Sequence, residues 1–136
     1  MSRSALPPEG SAHGENSNLS QLHRLRDRIA AFRDAREWAQ FHNPKNLACA
    51  ICIEASELLE LFQWDTPEQS IATGKQKRAQ VADEIADIGI YLIQLASDLE
   101  IELADAIEAK IAQNEVKYPE HRAKGTATKY TDLDKR

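Results

Sequence analysis

Two stretches of this chain repeat apolar residues at steps of three and four, and each sets carboxylates into or beside the apolar row. In the first, Leu47, Ile51, Glu54, Leu58 and Leu61 fall on one helical face, with Glu57 one turn beyond Glu54 at its edge. In the second, Val81, Ile85, Ile88, Leu92, Leu95 and Leu99 make the stripe, and Glu84 and Asp87 border it with the same three-residue step. A carboxylate on a buried row costs several kcal/mol unless a partner neutralises it. If the two helices face each other, four acidic groups converge, and a hard divalent cation is their natural neutraliser. A ligand suited to that cation brings further oxygens to it.

The same periodicity decides the fold class. No segment alternates with a period of two and no repeat recurs at solenoid lengths, so the expectation is a single all-α domain built from four main helices. Residues 1–18, rich in Ser, Pro, Gly and Asn, read as a disordered leader, 19–133 as the folded domain and 134–136 as a tail. The spacing predicts a first helix over residues 20–41, with Leu22, Leu25, Ile29 and Phe32 inward, stopped by His42-Asn-Pro44. Asn46 is the expected N-cap of a second helix over 47–63. Thr66 then caps a short turn begun by Pro67 and closed by Gly74. A third helix is expected over 75–99. A fourth covers 103–116, with Ala104, Ile107 and Ile111 inward, and Tyr118-Pro119 ends it. From Ala123 the chain is a polar arm or tail.

With 136 residues and 42% hydrophobic content, the core is modest, and long helices apolar on two sides gain by oligomerising. A net charge of −5 without a Lys/Arg-dense block argues against a nucleic-acid or anionic-membrane partner. No apolar run approaches the roughly 20 residues that cross a bilayer. The first ten residues lack the apolar core of a signal peptide, so a cytoplasmic protein is expected. Cys49 and Cys52 have the spacing of a redox or zinc half-site, but no second pair completes four ligands, and they read as reduced core thiols.

Glu-x-x-Glu and Glu-x-x-Asp pairs usually mark a solvated face. Here Glu54 sits on a core row, and both pairs lie on the two most apolar helices. An all-oxygen ligand set of Glu54, Glu57, Glu84 and Asp87 favours Mg²⁺ or Mn²⁺ over zinc. A di-iron carboxylate bundle needs Glu-x-x-His on two helices. None of His13, His23, His42 and His121 has a Glu three residues earlier, so that reading fails. Trp38 and His42 are four apart, Trp64 follows the acidic helix, and Tyr91 lies one turn beyond Asp87. Such aromatics serve either ordinary packing or a pocket that stacks a nucleobase. Lys110 and Asn114 share a face with Ile107 and Ile111, where a lysine either snorkels to water or meets a phosphate. Lys129 is a second phosphate candidate.

Glu54-Ala-Ser-Glu57 followed by Glu84-Ile-Ala-Asp87 resembles the metal signature of the all-α nucleoside triphosphate pyrophosphohydrolases, the MazG-like group. Arg36-Glu-Trp-Ala-Gln-Phe-His42, Pro44-Lys-Asn-Leu47, Glu60-Leu-Phe-Gln-Trp64, Tyr91-Leu-Ile and Lys129-Tyr-Thr-Asp-Leu133 look most like its dCTP pyrophosphatase branch. The chain departs from the mammalian pattern at Ile29, where those members carry a histidine. The resemblance implies a homotetramer, a dimer of dimers, with Mg²⁺ on Glu54, Glu57, Glu84 and Asp87. It implies a pyrimidine pocket with Trp38, His42, Trp64 and Tyr91, and triphosphate contacts from Lys110, Asn114 and Lys129. The implied reaction turns dCTP and water into dCMP and pyrophosphate, as nucleotide-pool house-cleaning. Glu54, with Glu57 beside it, is the expected base for in-line attack of water. A rival of another class is a catalytically silent helical scaffold or regulatory partner with a solvated quartet. Within enzymes, a hydrolase of modified dCTP analogues, a dUTP-preferring relative or a broad nucleotide pyrophosphohydrolase stands beside it.

Overall fold

The computed structural model describes residues 15–135 and is helical where it is regular. In chain order come α1 (Glu15–Asp34), a 3-10 turn (Trp38–Phe41), α2 (Pro44–Glu60), α3 (Pro67–Gln76), α4 (Arg78–Asp98), α5 (Leu103–Lys117), α6 (Glu120–Ala123) and a second 3-10 turn (Tyr130–Lys135). No strand occurs among the described residues, and the all-α expectation is met. Of the expected leader, residues 1–14 lie outside the described residues, as does residue 136 of the expected tail.

The first helix stops seven residues short of the expected boundary at residue 41. Its last turns tighten, with Arg36 N–H donating to Arg33 O and Glu37 N–H to Asp34 O. Glu37 then takes a left-handed conformation at φ 54°, where a residue with a Cβ is uncommon. No glycine or proline marks this break. The compensation is tertiary: Trp38 folds back edge-on to Phe32 with centroids 5.8 Å apart, and the Arg36 guanidinium lies 3.6 Å over the Phe32 ring. The same guanidinium donates to Phe32 O at 2.9 Å.

One cap differs from the sequence reading, and the other is met but opens a longer element. Asn43, not Asn46, caps α2: its Oδ1 accepts the Asn46 N–H at 2.9 Å. Pro44 occupies the first turn, where its fixed φ suits the helix and its missing N–H costs nothing. The excursion at Thr66 is a full ten-residue helix. Thr66 Oγ1 accepts the Gln69 N–H at 3.2 Å while Gln69 Oε1 accepts the Thr66 N–H at 2.9 Å, a reciprocal capping box. Gly74 lies inside this helix rather than ending it, and a Cβ there would meet the Phe62 ring at 3.7 Å. The chain bends at Lys77 instead.

Helix α2 packs along α4, and α1 lies on another side of α4. Arg33 ties α1 to the end of α4, donating from Nη1 to Asp98 Oδ1 at 2.9 Å while its Nε donates to Asp34. On α2 the half-buried row is the expected one, with Leu47 fully buried and Ile51, Glu54, Leu58 and Leu61 following it. On α4 the row is shifted. Val81, Glu84, Ile88, Tyr91 and Leu95 are shielded, whereas Ile85, Leu92 and Leu99 are exposed. Steps of three and four serve either row, and packing against α2 selects the one that carries Glu84.

Among the described residues only Leu47, Gln94 and Ala96 are buried. The inward faces expected for the first and fourth helices find little cover in one chain: Leu25, Phe32, Ile107 and Ile111 are exposed. An apolar groove of about 540 Å³ runs between α1 and α4, lined by Leu25, Ile29, Phe32, Ile90 and Ile93. Cys49 and Cys52 are free thiols, but they are exposed rather than core groups because no element among the described residues covers that side of α2. No helix among the described residues is long and apolar enough to cross a membrane.

Candidate active site

The α2–α4 pairing brings the acidic positions together. Glu54 from α2 and Glu84 and Asp87 from α4 each place a carboxylate oxygen within 4.8 Å of the others. Glu54 and Glu84 are half-buried and Asp87 is exposed. Glu57 is exposed at the rim. It stays outside the tight trio yet lies close enough to disfavour ionisation of both Glu54 and Glu84.

The carboxylates disfavour one another's charge at Glu54 and Glu84. Burial pushes the Glu54 carboxyl above its ordinary 4.5, and the charges of Glu57, Asp87 and Glu84 push it further. Glu84 is raised for the same reasons, with Asp83 and Glu60 adding to Glu57 and Asp87. Among the ion pairs of the described residues, none joins a lysine or arginine to this trio. Carboxylates this close either hold protons or share a cation. Oxygen donors from two rigid helices, with no soft ligand among them, fit a hard divalent ion.

One turn from Asp87, Tyr91 joins an aromatic row. The Trp38 and His42 rings stand edge-on at 6.2 Å, and His42 and Tyr91 at 6.4 Å. Trp38 and His42 reach each other from a 3-10 turn rather than from the continuous helix expected. None of the remaining candidates makes a hydrogen bond or ion pair with the trio or with this row among the described residues. Trp64, 88% exposed beyond α2, makes no ring contact with this row. Lys110 and Asn114 are exposed on α5, which touches α4 only sparsely, and Lys129 is exposed before the last 3-10 turn. Sequence reasoning missed Gln94, a buried amide whose Nε2 lies 2.7 Å from His42 Nδ1. A polar residue within Tyr91-Leu-Ile-Gln-Leu-Ala96 was its only signal.

The class of this chain comes from its sequence, and the acidic trio lies in the segment that gives it. The chain matches the MazG-like family over residues 49–133, more than half its length, and belongs to that family. Its relatives include the mouse protein named dCTP pyrophosphatase 1, 42% identical over 117 residues that cover 85% of this chain and 67% of the mouse protein. The human protein of the same name is 39% identical over the same shares. Among solved structures, a pyrophosphatase from Archaeoglobus fulgidus superposes with a TM-score of 0.71 at 37% identity, covering 83% of this chain and 99% of that one.

Proposed function

We propose that this chain hydrolyses dCTP to dCMP and pyrophosphate with Mg²⁺ held by Glu54, Glu84 and Asp87 and with Glu57 at the rim of the site. The coarser statement, that it is a nucleoside triphosphate pyrophosphohydrolase, rests on the family and on relatives named for that activity. The observation that carries the finer reading is the convergence of three carboxylates within 4.8 Å, one helical turn from the aromatic row.

When bound, Mg²⁺ supplies charge neutralisation along the phosphate chain and a more acidic water. The chain's residues do the rest. Glu54, half-buried between the two helices beside Glu84 and Asp87, is the base that takes the water's proton. Trp38 and Tyr91 offer π-faces to the pyrimidine and His42 a hydrogen bond to its edge. Trp64, Lys110, Asn114 and Lys129 complete the pocket and the triphosphate contacts in a homotetramer, which also covers the apolar faces that one chain leaves in water.

A pyrophosphate-release panel over the deoxy- and ribonucleoside triphosphates, with Mg²⁺, with Mn²⁺ and with EDTA, tests this. Metal-dependent release fastest from dCTP is expected. Faster release from dUTP, or equal release from all, replaces the substrate assignment, and release in EDTA removes the metal from the reaction. No release from any triphosphate leaves the silent scaffold standing.

A further inference from the structure

Gln94 is 4% exposed, in the middle of the apolar α4 run, where a carboxamide is costly unless its groups find partners. Its Nε2 lies 2.7 Å from His42 Nδ1 across 52 residues of sequence. An amide nitrogen donates and does not accept, so Nδ1 receives the hydrogen and the imidazole's own proton sits on Nε2. The Trp38 and Tyr91 rings flank the same imidazole, each steeply inclined to it. The two ring nitrogens point in divergent directions, so Nε2–H is turned away from the buried amide. A buried partner on one nitrogen thus decides what the other nitrogen offers.

We propose that Gln94 is a positioning residue: it fixes His42 as the Nε2–H tautomer, so that the pocket shows the nucleobase one hydrogen-bond donor. A donor there favours cytosine, whose N3 is an unprotonated acceptor, over uracil or thymine, whose N3–H would meet it donor to donor. A site that pairs with one polar pattern rejects the other because a desolvated group is left without a partner. This rests on the reading of His42 as a base contact and adds the residue that gives that contact its polarity.

The test uses the 136-residue chain in the presence of Mg²⁺ and its Gln94→Met and His42→Ala variants. Methionine keeps the side-chain volume and removes the donor, so the fold is retained. Two-bond ¹H–¹⁵N spectra of the imidazole should show His42 as a single Nε2–H tautomer in the native protein. In Gln94→Met the kcat/KM ratio of dCTP over dUTP should fall about threefold to tenfold, the scale of one net hydrogen bond. The loss should fall on KM rather than on kcat. A native Nδ1–H tautomer or imidazolium at neutral pH overturns the proposal. So does a Gln94→Met ratio equal to the native one while His42→Ala lowers it, which leaves the base contact standing. An unchanged ratio in His42→Ala instead removes the base contact itself, and the proposal with it.

Discussion

Replacing Glu54 by Gln should separate stability from turnover in opposite directions. The substitution keeps shape and deletes one negative charge from a trio whose oxygens lie within 4.8 Å of one another. At that spacing two unit charges in water-like surroundings repel by about 0.9 kcal/mol. Glu54 has two such neighbours in the trio, and salt and partial exposure weaken the sum, leaving roughly 1 kcal/mol in favour of the variant. For a chain of this size that is a rise of about 3–5 °C in the melting temperature of the metal-free protein. The pH dependence follows from the raised Glu54 carboxyl. Native protein holds an extra proton between the ordinary 4.5 and the raised value, so its stability falls as pH climbs through that window. The advantage of the Gln variant should therefore be absent below 4.5, grow through the window and level off above it. With Mg²⁺ the order reverses, because native protein gains a ligand set that the variant lacks. Turnover of dCTP should drop by about 10²–10⁴-fold, the usual worth of a positioned base. Thermal melts in EDTA and in Mg²⁺ from pH 4 to 8, with pyrophosphate release at pH 7.5, measure all of this. A metal-free variant less stable than native at neutral pH, or one that keeps most turnover, refutes the reasoning.

Further outcomes follow from other parts of the chain. Leu47 is 0% exposed, so Leu47→Ala should cost about 2–5 kcal/mol in urea unfolding. Thr66→Ala breaks one arm of the capping box and should cost about 1 kcal/mol, with no change in the Mg²⁺ dependence of turnover. Glu37→Val places a β-branched residue at φ 54° and should lower the melting temperature, whereas Glu37→Gly should not. Trp38→Ala should raise the KM for dCTP about tenfold, the scale of one lost base stack, with a smaller effect on kcat in steady-state assays.

Much of this was legible in the residues. Helix periodicity gave the main helices and the α2 row down to Glu54, although Ile53 and Leu59 leave further apolar groups exposed on that helix. On α4 apolar residues occupy both candidate rows, so only the partner helix could choose between Ile85 and Glu84. Pro44 was read as a stop when it is also a start, which displaced the cap from Asn43 to Asn46. The end of α1 left no mark in the sequence, because ring stacking on Phe32, rather than glycine, holds Glu37 in place. Burial was misjudged on α1, α5 and the two cysteines for one reason: an apolar stripe says that a face wants cover, and it does not say which chain supplies it. The meeting of Glu54 with Glu84 and Asp87 was legible because three-residue steps put carboxylates on neighbouring turns, while Glu57 stayed at the rim. For Trp64, Lys110, Asn114 and Lys129 the spacing sets no distance to the α2–α4 pair, since each is exposed and outside the two apolar rows.

The left-handed residue at Glu37 works as a joint between two parts with different obligations. Upstream, α1 turns its open face toward whatever covers it; downstream, Trp38 and His42 must keep their bearing on Tyr91. Had the helix run on unbroken, any rotation of α1 would have swung both rings with it, by about 100° for a single inserted residue. With the joint in place, the bearing of Trp38 and His42 is set by their contacts with Phe32 and Tyr91 rather than by the rotation of a continuous helix.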